Sequence, residues 1–507
     1  MAVTHKYPPS VPLSYLLQGL VMLEADSDCA VVGLALDSRH LSPGELFFAC
    51  AGETVHGLDY ALQAAEKGAA AIVYDARDQL RAESVVAAIN DAVPLIAIAD
   101  LPGHVGVIAA RFYQNPSQDQ FVIGITGTNG KTSCSHFLAQ ALSSRDGGCG
   151  LIGTLGYGLY GQLSHGQHTT PDAVQLQAEL ASIYDAGARQ VVMEVSSHGL
   201  EQQRVSGVAF DAAVFTNLSH DHLDYHGDLA SYAAAKRRLF RMPGLRYAVI
   251  NHDDAYGREL MALLAEQSST VLQVLSYGFD QAADVCAVAR RFDSSGFELQ
   301  ITTPWGQGVL CSRLLGRFNA SNLLAALAAL LLMDIPLEQA LLTLGQSRAV
   351  SGRMEHFGGA AGQPLVVVDY AHTPDALQQV LQTLREHCRG RLWCVFGCGG
   401  GRDRDKRPRM GAIAEQVADS LILTDDNPRH EAGAAIIEDI IAGIRMPEQV
   451  VVQRDRAQAI DLAVASAVAG DVVLVAGKGH EEYQLIGDQI LPFSDRHYVS
   501  KLLGEVA

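Results

Sequence analysis

Gly124-Ile125-Thr126-Gly127-Thr128-Asn129-Gly130-Lys131-Thr132 stands directly behind the apolar run Phe121-Val122-Ile123 and directly before a helical pattern. Strand, glycine-rich turn and helix in that order make a phosphate cradle. Glycines let backbone N–H groups turn toward phosphate oxygens, Lys131 supplies a mobile cation, the Thr132 hydroxyl can hold Mg²⁺, and the helix adds its positive end. The expected ligand is ATP or GTP. A strict Walker pattern has glycine where Ile125 stands, so the surrounding strand, turn and helix carry the inference.

Working outward, strand patterns recur at 190–194 and 212–216, the alternation of a doubly wound, mostly parallel sheet. Helices at 319–332 and near 337–344 close this unit, and Gly345-Gln346-Ser347 reads as a linker. Upstream, short strands at 31–36, 46–49, 70–73 and 95–98 with an Ala-rich helix near 60–67 indicate a small α/β unit. After Arg348 the alternation restarts, with strands at 365–369, 392–396, 420–423, 450–452 and 471–476. The expected fold class is therefore α/β in three domains. These are a small N-terminal α/β domain over 1–100, a central P-loop doubly wound ATP-binding domain over 101–346, and a C-terminal Rossmann-like α/β domain over 347–507.

Composition agrees with that division. A chain of 507 residues is too long for one core, and about three domains is the natural expectation. With 48% hydrophobic and 18% charged residues it is an ordinary globular composition. The longest apolar stretch, around 323–332, is shorter than a bilayer crossing and reads as a buried helix. Met1-Ala2-Val3-Thr4-His5-Lys6 lacks the charged start and apolar core of a secretory signal, so a cytoplasmic address is expected. Nine cysteines without a Cys-x-x-Cys pair argue against a disulfide framework and a zinc knuckle. A net charge of −19 disfavours nucleic acid and anionic membrane. The mixed-sign run from Arg402 to Arg409 suits small anionic ligands.

Chemistry-bearing residues gather where strands end. Glu194 closes an apolar strand and Ser196-Ser197-His198-Gly199-Leu200 follows at the carboxyl edge, where open α/β sheets place ligands. A metal-binding carboxylate is expected beside a phosphate loop. The next strand empties through Asn217 into Leu218-Ser219-His220-Asp221-His222-Leu223-Asp224-Tyr225-His226-Gly227, rich in potential Mg²⁺ and phosphate partners, although Mg²⁺ prefers oxygen to imidazole. Ser231 through Phe240 reads as a helix with Ser231 near its cap.

These residues resemble the Mur ligases, ATP-dependent amide-forming enzymes of peptidoglycan synthesis. Gly127 through Thr132 looks like the family's ATP loop, which Ser133 continues, Asn217 through His226 like its Asn-x-x-x-Asp-His-x-Asp block, and Ser231 through Lys236 like its carbamylated-lysine helix. The resemblance implies that Lys236 takes up CO₂ as a carbamate, and that Thr132, Glu194, His222 and Lys236 hold Mg²⁺ around the γ-phosphate of ATP. A carbamate offers oxygen ligands where an ammonium would be repelled. Lys131, Lys236, His222 and Asn217 are the implied catalytic set. Further ATP contacts are implied at Asn319 within Gly316-Arg317-Phe318-Asn319, at Arg353, and at Asp369 and His372 of Asp369-Tyr370-Ala371-His372-Thr373-Pro374.

The last domain points to the amino acid added. Asp426-Asn427-Pro428-Arg429 is similar to the signature of members that add meso-diaminopimelate, whose distal carboxylate an arginine can grip and lysine lacks. By the same resemblance Arg402 binds a carboxylate, while Gly477 and Glu481 of Gly477-Lys478-Gly479-His480-Glu481 contact the amino end of diaminopimelate. Cys398 among glycines reads as packing, since no partnered base is evident. The nucleotide acceptor is expected between the first two domains. Leu36 and Ser38 beside Asp37-Ser38-Arg39, Thr169 and Thr170, and Ser196, Gln202 and Arg204 look like its contacts. His168 stands where members commonly carry Asn, and Gly52-Glu53-Thr54-Val55-His56-Gly57 matches the loop over uracil only loosely.

The implied activity is an ADP-forming ligation of meso-diaminopimelate to UDP-N-acetylmuramoyl-L-alanyl-D-glutamate through an acyl phosphate. The same ligation with L-lysine, or a folylpolyglutamate synthase-like reaction, are the alternatives. Small-molecule substrates, no nucleic acid, no membrane and a monomeric state complete the expectation.

Overall fold

The computed structural model describes residues 10–505 apart from 53–54, 90–92, 145–146, 267–271, 294–295 and 360–361. Met1 through Lys6, and Glu53 and Thr54 of the loop expected over uracil, lie outside the described residues.

The N-terminal sheet has four parallel strands in spatial order, Gly33–Ala35, Glu45–Ala49, Ala71–Asp75 and Leu95–Ile98. Strands covered on both faces read as continuous apolar runs, and every residue of Ala71–Asp75 is buried. The single strand expected over 31–36 is divided. Ala30–Val31 pairs with Val11–Pro12 instead, and only Gly33–Ala35 joins the sheet.

Among the described residues the central sheet has eleven strands. Its middle is parallel, in the order Cys149–Gly153, Gln190–Glu194, Phe121–Thr126, Ala212–Phe215, Tyr247–Asn251 and Gln273–Gly278. From Phe121–Thr126 the chain passes first to one side of the sheet and later to the other, so a crevice opens at that strand's carboxyl end. The phosphate loop lies there. Antiparallel strands Gly156–Leu159 and Gln162–Ser164 extend one edge. On the other, Val285–Asp293 pairs parallel with Gln273–Gly278, and Gly296–Thr303 and Gly306–Ser312 follow it antiparallel. Helix Arg317–Leu332 is buried on nearly all sides, as an Ala/Leu run without a polar face requires, and packs against helix Lys131–Leu142.

The C-terminal sheet runs Glu355–Gly358, Leu365–Asp369, Val472–Ala476, Leu392–Phe396, Ser420–Leu423 and Val451–Val452, parallel after the first pair. Behind it Arg456 and Asp495 form a fully buried ion pair at 2.7 Å. A hairpin, Tyr483–Ile486 with Gln489–Pro492, leans on the segment around Arg429. Among the described residues no helix is long and apolar enough to cross a membrane.

Candidate active site

The phosphate loop keeps its shape because glycine stands where no side chain fits. Gly127 (φ +152°) and Gly130 (φ +87°) have left-handed backbone. A Cβ on Gly127 would lie 1.9 Å from Thr216 Oγ1, and one on Gly130 2.5 Å from Asn322 Oδ1. Asn217 straps the loop to the neighbouring strand end. Its Oδ1 accepts from Asn129 N at 2.9 Å, its Nδ2 donates to Asn129 O at 3.0 Å, and its carbonyl accepts from Thr128 N at 2.8 Å.

Lys131 opens helix Lys131–Leu142, and its Nζ donates to Gly127 O at 2.8 Å and Thr128 O at 3.0 Å. Lys236 reaches the same oxygen, Gly127 O, at 2.9 Å and stacks over Tyr232. Its helix begins at Leu229, and the cap is Asp228, which accepts from Ser231 N; Ser231 itself sits inside the first turn. Burial lowers the pKa of Lys131, and burial together with the charge of Lys131 holds that of Lys236 well below its ordinary value. A neutral amine, the form that reacts with CO₂, is thereby favoured at Lys236.

Glu194 ends its strand beside the loop. Its Oε2 accepts from Thr132 Oγ1 at 2.9 Å and its Oε1 from Thr154 N at 2.8 Å. Two hard oxygen donors next to Lys131 fit Mg²⁺, whereas the Lys236 amine fits it only as a carbamate. His222 has left-handed backbone (φ 53°), lies 3.5 Å from Asp221 and packs edge-on against His198. Among the described residues no group of three or more His, Cys, Asp or Glu side chains forms a metal cluster.

The loop, Glu194 and His222 line a cavity of about 350 Å³ whose opposite wall comes from the C-terminal domain, while Lys236 is held at Gly127 O and is not among the lining residues. Thr128 through Ser133, Glu194, Asn217 and His222 face Arg353, Asp369 and His372. The Arg353 guanidinium lies 4.5 Å over the Tyr370 ring, and its buried Nε has no hydrogen-bond partner. An orphaned guanidinium donor opposite a glycine cradle fits a polyphosphate. Asp369 accepts from Met354 N and Ala371 N, both at 2.8 Å, so it shapes the Arg353 segment, and burial raises its pKa. Asn319 does not reach the cavity; its amide donates to Leu315 O within its own helix start. Asn322, one helical turn on, lines the wall in its stead. Sequence reasoning gave no role to Asn322, Thr154 or Tyr370, and read Asp221 only as one of several potential Mg²⁺ and phosphate partners in its loop. The i, i+3 spacing from Asn319 was the available signal for the first.

Thr169, Thr170, Ser196, Gln202 and Arg204 form one network at the edge of the cavity. Thr169 shares a hydroxyl contact with Thr154, Thr170 Oγ1 donates to Glu194 O at 3.0 Å, Ser196 caps helix Ser197–Glu201, and Arg204 donates to Thr170 O and Gln202 Oε1. The backbone of His168 is held by the Tyr157 hydroxyl. Leu36 and Ser38 stand apart, at the carboxyl end of the N-terminal sheet, where Ser38 Oγ donates to Gln63 Oε1 and Lys67 bonds the carbonyls of Ser38 and Arg39.

In the C-terminal domain the Asp426-Asn427-Pro428-Arg429 segment meets two glycine-rich loops. Arg429 takes left-handed backbone (φ 50°), pairs with Leu485 O and Gly487 N, and donates from its guanidinium to Gly400 O at 2.8 Å. A Cβ on Gly399 would lie 2.9 Å from Arg429 Nη1 and 3.8 Å from the exposed Arg402 side chain, so both arginines border one loop. Asn427, buried with Pro428, donates to Glu481 Oε2 at 2.8 Å. Burial raises the pKa of Asp426, and Gly477 (φ +110°) leaves open the space before it. Cys398 is buried against Met410, and burial pushes its thiol up to about 12, the state of a packing residue.

A phosphate loop at a sheet crevice, faced across one cleft by an arginine of a second α/β domain, defines a three-domain nucleotide-phosphate-binding protein. Family models match most of its length: the Mur ligase family catalytic domain over residues 30–113, the Mur ligase middle domain over 125–330, and the Mur ligase glutamate ligase domain over 352–479. The chain belongs to the Mur ligase family. It is 51% identical over 478 residues to the UDP-N-acetylmuramoyl-L-alanyl-D-glutamate--2,6-diaminopimelate ligase of Coxiella burnetii, covering 94% of this chain and 96% of that one. The protein of the same name from Pseudomonas aeruginosa is 50% identical over 481 residues, covering 95% and 96%. A solved structure titled as such a ligase superposes with a TM-score of 0.73 at 35% identity over 98% of this chain and 99% of that one. A folylpolyglutamate synthase of Mycobacterium tuberculosis in complex with ADP and AMPPCP shares the fold, with a TM-score of 0.62 at 21% identity over 79% of this chain and 95% of that one.

Proposed function

We propose that this protein is an ATP-dependent, ADP-forming ligase that joins meso-diaminopimelate to the D-glutamate γ-carboxylate of UDP-N-acetylmuramoyl-L-alanyl-D-glutamate. One observation carries the reaction class: Lys131, Thr132 and Glu194 of the central domain and Arg353 of the C-terminal domain line the same cavity. The choice of amino acid is supported by Arg429, whose backbone and guanidinium are both tied down beside Gly400. The near-full-length relatives at about half identity bear the name of this activity.

In the first step the γ-carboxylate oxygen attacks the γ-phosphorus of ATP, the bond to the β-phosphate oxygen breaks, and an acyl phosphate and ADP result. Lys131 and Arg353 neutralise charge on the transferred phosphoryl group from opposite walls, so the protein's contribution is position and electrostatics. Thr132, Glu194, His222 and carbamylated Lys236 would hold Mg²⁺, which when bound supplies Lewis-acid charge at the phosphates. In the second step the amine attacks the acyl carbon, a tetrahedral centre forms, and phosphate leaves as the amide closes. Thr169, Thr170, Ser196, Gln202 and Arg204 orient the muramoyl peptide, and Leu36 and Ser38 border the uridine. Arg402 and Arg429 take the distal carboxylate of diaminopimelate, while Gly477 and Glu481 with Asp426 take the ammonium beside it. The work divides over residues 1–100, 101–346 and 347–507, in a monomer of the cytoplasm.

The test is amino-acid-dependent phosphate release with the UDP-dipeptide, comparing meso-diaminopimelate with L-lysine. Equal turnover of the two would refute the assignment.

A further inference from the structure

We propose that Lys478 is a positioning residue for the amino-acid substrate, holding Asn427 and Glu481 so that one Glu481 carboxylate oxygen is left for the substrate's distal ammonium. This rests on the meso-diaminopimelate reading above and adds to it a residue that makes no contact with substrate itself.

The Lys478 side chain has no solvent exposure, and its Nζ donates to Glu481 Oε2 at 2.9 Å and to Asn427 Oδ1 at 3.2 Å. Asn427 Oδ1 also accepts from Leu485 N at 2.9 Å. With two donors on that oxygen the amide has one orientation, because a flipped Asn427 would face its NH₂ toward an ammonium and an N–H. The correctly turned NH₂ then donates to Glu481 Oε2 at 2.8 Å. Both donors therefore fall on Oε2, and among the described residues none is recorded on Oε1.

Charge balance identifies what Oε1 awaits. Arg456 and Asp495 cancel as a buried pair, and Lys478 and Glu481 cancel likewise, which leaves the nearby buried carboxylate of Asp426 in excess. Burial raises the Asp426 pKa, so its charge is costly until a cation arrives. A Cβ on Gly477 would sit 2.4 Å from Asp426 Oδ2, so glycine keeps a path open there. An unpaired ammonium buried as deeply as that of Lys478 would be strongly unfavourable, and removing it leaves Glu481 free to turn. Arg429 and Arg402 border the neighbouring loop, next to Asn427, and suit the carboxylate on the same carbon as the ammonium.

The experiment compares meso-diaminopimelate with L-2-aminopimelate, which keeps the distal carboxylate and lacks the distal amine. Lys478→Met is expected to raise KM for meso-diaminopimelate about tenfold or more with kcat changed less than about threefold. KM for L-2-aminopimelate, ATP and the UDP-dipeptide should stay within about twofold, because none of them uses Glu481. In a Glu481→Gln background the same change should add less than about twofold, since Lys478 acts through Glu481. Equal losses for both amino acids, or full additivity with Glu481→Gln, would overturn the proposal and leave Lys478 a purely structural lysine. Should Lys478→Met fail to fold, Lys478→Gln carries the same comparison with the same expected split. Wild-type enzyme that used L-2-aminopimelate as well as meso-diaminopimelate would instead refute the ammonium-site reading on which the proposal stands.

Discussion

Lys131 and Lys236, from different helices, place their Nζ atoms 2.8 Å and 2.9 Å from one acceptor, Gly127 O. Two ammonium groups on one carbonyl would repel, and burial makes both charges costly, which is why the neutral amine is favoured at Lys236. A carbamate on Lys236 would turn that repulsion into attraction. Lys236→Ala is expected to cut phosphate release by roughly 10²–10³-fold, and formate or acetate filling the vacated space should restore part of it. Lys131→Ala should lose at least as much with no restoration by small carboxylates. ¹³C NMR after ¹³C-bicarbonate loading checks the chemistry directly: a carbamate signal is expected in wild type and absent from Lys236→Ala.

Glu194 binds Thr132 Oγ1 with one oxygen and Thr154 N with the other. Its charge therefore matters more to metal than to folding. Glu194→Gln keeps the acceptor for Thr132 or Thr154 and removes the charge, so half-saturating Mg²⁺ should rise about 10–100-fold. Urea midpoints should hardly move. A Mg²⁺ titration of phosphate release reads the first, and circular dichroism the second.

The phosphate loop was legible from sequence because a glycine turn between a strand and a helix admits few other shapes. Parallel strands such as 365–369 and 471–476 were legible because burial on both faces leaves an unbroken apolar run. The antiparallel extension formed by Val285–Asp293, Gly296–Thr303 and Gly306–Ser312 was not, since its first and third strands are largely exposed and the first carries Arg290 and Arg291 in mid-strand. Asn319 and Asn322 show the limit at the site: the motif marks the helix face, but the hydrogen bond of Asn319 to Leu315 O decides which amide faces the cavity. Likewise Lys478 reads as one basic residue among many until its burial beside Asn427 and Glu481 is seen.

Arg353 reaches the phosphate cavity from the C-terminal domain and stacks on Tyr370 with its Nε unpaired. A polyphosphate that bonds this guanidinium and Lys131 together draws the two domains toward each other. Small-angle scattering should show compaction when an ATP analogue and the UDP-dipeptide are both added to wild type. Arg353→Ala should abolish it and raise KM for ATP about tenfold or more. Unchanged scattering in wild type would exclude ligand-driven closure.

His136, buried in helix Lys131–Leu142, is held down to about 4 by burial, with the charge of Arg353 adding to it. Its ordinary value is 6.5. Between those two values the unfolded chain binds a proton that the folded chain refuses, so stability falls as pH falls from about 6.5 toward about 4. The loss attributable to this one imidazole is on the order of 3 kcal/mol. His136→Gln, neutral throughout, should flatten that part of the profile while leaving stability above pH 7 nearly level with wild type. Urea denaturation at a series of pH values measures both.

Arg429 owes its direction to two backbone bonds, with Leu485 O and Gly487 N, and to one guanidinium bond, from Nη1 to Gly400 O. Only part of the guanidinium is thereby used, and the remaining N–H groups are available to a carboxylate. Arg429→Ala removes that grip without unpairing a buried charge, so folding should be nearly unaffected. Efficiency with meso-diaminopimelate should fall about 10²-fold, the worth of a charge-assisted bidentate contact, while efficiency with L-lysine should stay level. Arg429→Lys should recover little, because a point charge cannot reproduce the fork. Steady-state phosphate release with both amino acids gives the ratio, and a variant that kept the wild-type preference would remove Arg429 as its cause.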